Sequence, residues 1–313
     1  MLSRLGRRAR LLSLLGTVFG CAILLLLLSQ VDLALVMALS LGQVAGIVLV
    51  IVAGMGLTLF EAARLQVLAQ AGFTLWEVLQ VVLIGYFVAN FTPSSFGGDG
   101  FKMYAIGRRR GYSEALALII LERALGLAVL LAVSLPIIVL GGWVGEFIAL
   151  AQAVDISALG RGEQIVLAAV ALSLTLLLLA LRRPVLRFCR RFLGALRSVT
   201  LPALCMSLLF ALCLHIGRAA LLCLVLLTLG QGQVDMGQAW VALAFATVAS
   251  LLPLSPGGLG IREAAIVIML QAFGVDASTA IIASLVFRLI IVCQAAVGAA
   301  LSAKAGGALV TAR

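Results

Sequence analysis

Long apolar stretches alternate along the chain with short polar or Pro/Gly-rich interruptions. As helices, the runs Leu11–Ser29, Ala115–Leu140 and Ala203–Leu229 suit a hydrocarbon core that takes about 20 apolar residues to cross. Runs at 43–61, 164–181 and 278–302 belong to the same class. Two others, 76–92 and 238–252, are short and stop at Pro93 and Pro253. Each is followed by a Gly-rich stretch and a second arm, the later one at 261–273. The first run is too long, and followed by too many others, to be only a signal peptide.

Composition agrees with a membrane protein. The 313 residues are 64% hydrophobic and 11% charged, against about 45–50% and 25% in a soluble domain. A net charge of +10 suggests nucleic acid only until the charges are placed. Of 22 Lys and Arg, sixteen lie in 1–10, at Arg64, at Arg108 to Arg110, in 182–197, and at Lys304 and Arg313. Such clusters mark the cytoplasmic flanks of membrane spans, so no nucleic-acid partner is expected. The stretch Arg182–Arg197 is read as topogenic, with contact to anionic headgroups as a second reading.

These clusters also order the spans. Arg4, Arg7, Arg8 and Arg10 keep the N-terminus inside, so 11–29 leads out and 43–61 returns to Arg64. If 76–92 crossed fully, Arg108 to Arg110 would lie outside. A re-entrant hairpin that enters from the cytoplasm and returns removes the conflict. Span 115–140 then goes out, 164–181 returns and 203–229 goes out. A second hairpin over 238–273 enters from outside, and 278–302 ends inside. Eight full spans would strand basic loops on the wrong side. The prediction is an all-α polytopic membrane protein with about six full transmembrane helices plus two re-entrant helical hairpins. Both termini are cytoplasmic, and one membrane domain covers 1–313.

The two interruptions resemble each other. Pro93-Ser-Ser-Phe-Gly-Gly-Asp-Gly-Phe-Lys102 aligns with Pro253-Leu-Ser-Pro-Gly-Gly-Leu-Gly-Ile-Arg262 at an offset of 160, with five identities in ten positions. Downstream, Arg123 aligns with Arg288 at an offset of 165. Halves at about 76–141 and 238–303, entering from opposite sides, make an inverted-topology repeat. Transporters built this way place their binding sites near the midplane, at broken helices.

Chemistry follows from the breakers. Non-helical backbone at membrane depth must be buried in protein or reached by water. The breaker residues are Pro93, Ser95, Gly97, Gly98 and Gly100, and Pro253, Ser255, Pro256, Gly257, Gly258 and Gly260. Glycine allows positive φ and close backbone approach. Ser95 and Ser255 are placed to cap freed N–H groups. The helix N-termini after each breaker, with Lys102 and Arg262, make a receptor for phosphate or carboxylate.

Arg123, Arg288 and Arg218 lie inside predicted spans, Arg218 with the weaker claim to a site. Such residues face an interior and mark function by default. Interhelical salt bridging is the structural alternative for all of them. Glu122 and Glu263 each neighbour an Arg, but adjacent helical residues point about 100° apart. Asp99 is a countercharge for Lys102 or Arg123. Asn90, Thr92, Thr247 and Ser250 either cap helix ends or line the site.

Other residues carry plainer expectations. The six Cys form no C-x-x-C pair and read as small hydrophobes. His215 is the single His and is expected to pack between helices, so neither a metal nor a cofactor is expected. Trp76, Trp143 and Trp240 sit at predicted span ends, where interfacial anchoring is the ordinary role.

The motif N-x-x-P-S-S-F-G-G-D-G-x-K at 90–102, G-Y-S-E-A and L-E-R within 111–123, and L-P-L-S-P-G-G-L-G-I-R-E at 252–263 resemble the lysylphosphatidylglycerol synthase/flippase transmembrane family. Lys102 stands where that family usually has Arg, which keeps the charge and loses the bidentate fork. The resemblance implies a multi-pass protein of the bacterial inner (plasma) membrane that moves a phospholipid, glycolipid or isoprenoid-type lipid between leaflets. No stretch is expected to fold as a soluble domain, so synthase activity is not carried over.

Two other functions compete with transport. One is a non-catalytic scaffold of a lipid-synthesis pathway. The other is a membrane-embedded lipid-modifying enzyme, for which Glu122, Asp99 and Glu263 are too scattered to name a reaction. No catalytic residue is assigned. Membrane lipids are the expected partners, with a second copy of the chain or lipid-synthesis enzymes as further candidates.

Overall fold

The computed structural model describes residues 18, 21–29, 37, 39–69, 72–90, 92, 96–143, 145, 199–251 and 255–308. The predicted span 164–181, residues 11–17, 19 and 20 of the first run, and the basic stretch 182–197 lie outside the described residues, as do Pro93, Ser95 and Pro253.

Residues 21–29 are helical, and nine helices follow among the described residues. Helix α1 is Leu41–Gly56 and α2 is Thr58–Ala69. Ser40 starts α1 with a capping box, accepting from the Gln43 N–H while Gln43 accepts from the Ser40 N–H. A kink at Leu57 is the only break between α1 and α2, which together form one apolar helix of 29 residues. This corrects the predicted 43–61 span. Arg64 is not a cytoplasmic flank but a buried residue inside α2.

Two shorter helices come next: α3, Leu75–Ala89, and α4, Phe96–Arg110. Thr74 and Glu77 form a capping box at the start of α3. Arg108, Arg109 and Arg110 fill the last turn of α4, where cations favour the negative end of the helix dipole. Gly111, at φ +91°, turns the chain into α5, Tyr112–Leu140.

The second set repeats this order. Helix α6 is Leu201–Thr228 and α7 is Met236–Ala249, which opens on an Asp235/Gln238 capping box. A 3-10 turn, Pro256–Gly258, leads to α8, Ile261–Ala272, and then to α9, Ala277–Ala308. Long, short, short, long therefore occurs twice. The repetition reaches further upstream than the motifs do, since Leu41 and Leu201 open long helices at the same offset of 160.

Among the described residues, four helices are long and apolar enough to cross a membrane: Leu41–Ala69, Tyr112–Leu140, Leu201–Thr228 and Ala277–Ala303. Leu41, Leu135, Leu140 and Leu201 stand largely exposed on their outer faces. Apolar surface of this extent is solvated by lipid rather than by water.

The halves interlock. Helix α3 packs most extensively on α9 of the other half, and α7 packs on α5. Gly298 of α9 lies so close to the Leu83 carbonyl that a side chain there would collide with it. Trp240 departs from its expected place at an interface. It is 4% exposed, donates to the Leu130 carbonyl at 3.2 Å and to Ser134 at 3.1 Å, and so ties α7 to α5. Its indole N–H has partners in the interior, which is what permits burial. Trp76 is exposed, and Trp143 packs on Phe273. Cys21, Cys205, Cys213, Cys223 and Cys293 are free thiols.

Candidate functional site

A cavity of about 430 Å³ lies between the helices, walled by residues from α2 to α9. Its lining is charged. Helix α2 supplies Glu61 and Arg64, three residues apart and so on one face. Helix α4 supplies Asp99 and Lys102, again at that spacing. Helix α5 supplies Glu122 and Arg123, α6 supplies His215 and Arg218, and α8 supplies Arg262. Among the described residues, five cations thus meet three carboxylates.

Most of these charges are paired across helices. Lys102 Nζ donates to Glu61 Oε1 at 2.8 Å, and the Tyr86 hydroxyl donates to Glu61 Oε2 at 2.6 Å. Arg218 lies 3.8 Å from the same carboxylate. Arg64 Nη2 donates to the Glu122 carbonyl at 2.6 Å and lies 3.5 Å from the Glu122 carboxylate. Arg123 donates to Asp99. Of the two countercharge readings for Asp99, the Arg123 one is therefore the hydrogen-bonded pair. Ion pairs offset part of the desolvation that burying these charges costs.

Arg262 differs. It forms no ion pair with any described residue, and its Nε, like that of Arg64, is buried without a hydrogen-bond partner. His215 approaches the Gly126 carbonyl at 3.3 Å and meets Trp240 edge-on, so it packs between helices as expected while also lining the cavity.

Arg288 and Glu263 are not on the cavity wall. Arg288 Nε and Nη2 reach Glu263 at 2.7 and 2.8 Å, and Nη2 also donates to the Gly258 carbonyl at 3.2 Å. Glu263 in turn accepts from the Gly260 N–H at 2.6 Å. The four groups form a closed fork that pins α9 to the start of α8.

The breakers meet the cavity through Gly98 and Asn90 on one side and Gly257 on the other. Gly257, Gly258 and Gly260 have φ of +58°, +69° and +79°. Gly97, Gly98 and Gly100 instead lie within helix α4. Gly98 serves close packing, since a Cβ there would sit 2.6 Å from the Gly85 carbonyl oxygen. Asn90, Thr92, Thr247 and Ser250 all donate to carbonyls of their own helix ends, and all but Thr92 also line the cavity. Ser255 does not cap as expected. Its hydroxyl is buried with no partner, and the turn instead closes on its backbone, where the Gly258 N–H donates to the Ser255 carbonyl at 3.2 Å. Among the described residues, no three His, Cys, Asp or Glu side chains converge as a metal site.

The family model described as the lysylphosphatidylglycerol synthase TM region matches residues 13–298. The chain belongs to this family. Comparison with curated proteins and with solved structures gave no match. The matched range takes in every residue on the cavity wall, so this family member carries its charged cavity within the region that defines the family. With four long apolar helices among the described residues, it is a multi-pass membrane protein.

Several cavity residues carry no sign in the breaker motifs. Glu61, Arg64 and Tyr86 lie outside both motifs, as does Arg218, three residues after His215 in the apolar helix α6. A signal was present for two of them: Glu61 and Arg64 share one face of an apolar run that continues to Ala69. Charges on one face inside such a run need partners on other helices.

Proposed function

We propose that this protein moves a lipid between the leaflets of the bacterial inner membrane, with the headgroup passing through the charged cavity. The carrying observation is the cavity itself: five cationic and three acidic side chains around one space of about 430 Å³, within helices whose outer faces bear exposed leucine. An Arg at the centre of a membrane helix costs roughly 2.5–3.5 kcal/mol on insertion scales. Several such residues converging on one space serve a polar passenger. The volume falls in the range of small-molecule sites, roughly 300–1,000 Å³, which suits a headgroup while the acyl chains stay in lipid.

In this reading α3–α4 and α7–α8 are re-entrant hairpins that enter from opposite faces, and the repeated element order is an inverted repeat. Rocking of one half against the other exposes the cavity to each leaflet in turn. The positive-φ glycines at 257–260 fit this reading, because irregular backbone at membrane depth belongs beside a cavity. The passenger is a phospholipid, glycolipid or isoprenoid-type lipid, and no covalent chemistry is assigned.

The test uses purified protein in vesicles of phosphatidylcholine and phosphatidylglycerol that carry a trace of head-labelled lipid. A membrane-impermeant quencher reads the outer-leaflet fraction over time. Transfer is expected to be faster than in empty vesicles, and slower for Arg262→Ala at equal incorporation. Rates equal to those of empty vesicles for every headgroup tried would sink the proposal.

A further inference from the structure

The charges that the described residues place on the cavity do not cancel. Each of the three carboxylates already has a cation closer than Arg218 or Arg262. Glu61 takes Lys102 at 2.8 Å, Glu122 lies 3.5 Å from Arg64, and Asp99 accepts from Arg123. Arg218 is left with a 3.8 Å approach to a carboxylate that both Lys102 and Tyr86 already occupy. Arg262 has no acidic partner among the described residues, and its Nε is buried and unpartnered. Both arginines also line a smaller space of about 40 Å³ that shares Tyr86 with the main cavity. Two guanidiniums thus face the same pair of spaces with no carboxylate of their own.

Like charges brought together away from bulk water repel strongly unless an anion lies between them. Guanidinium presents a planar fork of donors that matches phosphate oxygens in pairs. A phosphate monoester carries about −1.5 to −2 charges near neutral pH, which balances an excess of two cations. A diester carries only one. A zwitterionic or aminoacylated head adds positive charge to a wall that is already positive, and is disfavoured for that reason.

We propose that Arg218 and Arg262 form the selective seat of the cavity, and that the seat takes a doubly charged phosphoryl head, a lipid phosphomonoester or diphosphate. It rests on the reading of the cavity as a lipid headgroup site. Lys102, Arg64 and Arg123 each already meet a carboxylate and contribute positive field around the seat.

The deciding comparison needs no variant. The intact protein in phosphatidylcholine nanodiscs is titrated with fluorescent phosphatidic acid and with phosphatidylmethanol of the same acyl chains. The two heads are close in size, and methylation removes one charge. Phosphatidic acid is expected to bind roughly tenfold or more tightly, the scale of one charged hydrogen bond. Arg218→Gln and Arg262→Gln are each expected to erase that preference, and Arg262→Lys to keep part of it, with melting curves checking that the variants are folded. Equal affinity of the intact protein for the two lipids overturns the proposal. Inorganic phosphate is expected to compete poorly, and competition at concentrations equal to phosphatidic acid would overturn the lipid assignment in favour of soluble phosphate. Selective binding without leaflet transfer would leave this seat standing and sink the transport reading. Transfer of both lipids at equal rates would do the reverse.

Discussion

The same bond is made twice in this protein, in two settings. In the first half Arg123 on α5 reaches Asp99 at the start of α4, and in the second half Arg288 on α9 reaches Glu263 at the start of α8. Each bond ties a long helix back to its second arm. The Arg123 side chain is 35% exposed and lines the cavity. Arg288 is 8% exposed and Glu263 1%, and both also hold backbone of the breaker, at Gly258 and Gly260. Repetition places charges at matching points of the fold. Exposure to the cavity then decides whether a pair is available to a ligand or serves only as a clamp.

The largest expected effect tests that contrast. Arg288→Ala strands a buried carboxylate, which typically destabilises by about 3–5 kcal/mol. Arg123→Ala removes a partner from a pair that the cavity solvates, and a loss of about 1–2 kcal/mol is expected. Unfolding titrations in mixed detergent, followed by tryptophan fluorescence, measure both. Transport is expected to respond in the opposite order per unit of folded protein, with Arg123→Ala losing more. Equal destabilisation by the two substitutions would erase the distinction between clamp and site.

Much of the fold was legible in the hydrophobic pattern, because a lipid-facing helix must be apolar along its whole length. The predicted runs 115–140 and 203–229 correspond to Tyr112–Leu140 and Leu201–Thr228. The short arms were legible from Pro and Gly, which interrupt helices for local reasons. Glu61 and Arg64 were not, because a hydropathy window takes a charge as the end of a span. Here the charges stay inside the span because Lys102 and Glu122, 41 and 58 residues away, satisfy them. Trp240 escaped for a similar reason. Its position near the start of an apolar helix suggested an anchor, while its partner Ser134 lies 106 residues earlier. What the pattern misses is pairing between distant helices.

The two halves also differ in which glycine lets backbone approach backbone. A Cβ on Gly98 would sit 2.6 Å from the Gly85 carbonyl oxygen, and one on Gly298 would collide with the Leu83 carbonyl. The obstacle in each case is backbone, which cannot swing aside. Gly98→Ala and Gly298→Ala are each expected to destabilise by about 1–3 kcal/mol, as overpacking does. Gly98→Ala separates the two arms of the first hairpin, whereas Gly298→Ala separates the halves. The first is therefore expected to distort the cavity at Gly85 and Lys102, and the second to loosen the contact of α3 with α9. Cysteine cross-links placed across α3 and α9 would form less readily in Gly298→Ala and unchanged in Gly98→Ala.

The smallest effects separate the two breakers themselves. Gly257 holds φ +58°, a conformation that costs an L-residue about 1–2 kcal/mol. A side chain at Gly257 would meet only ordinary contacts, 3.7 Å from the Ala89 carbonyl and from Asn90, so the cost of Gly257→Ala is conformational and not steric. Gly100 is the opposite case. It lies within α4, and a Cβ there would meet nothing within 4 Å. Gly100→Ala is therefore expected to stabilise by roughly 0.5–1 kcal/mol, by restricting the unfolded chain and favouring helix. The aligned motifs predict the same sign for both substitutions, since both glycines belong to the same five identities or their flanks. Opposite signs in the unfolding midpoint would establish that the second motif needs glycine for its backbone turn, while the first tolerates alanine where Gly100 sits. A loss of stability in Gly100→Ala would mean that α4 begins later than Phe96, and that the first breaker also needs glycine for its turn.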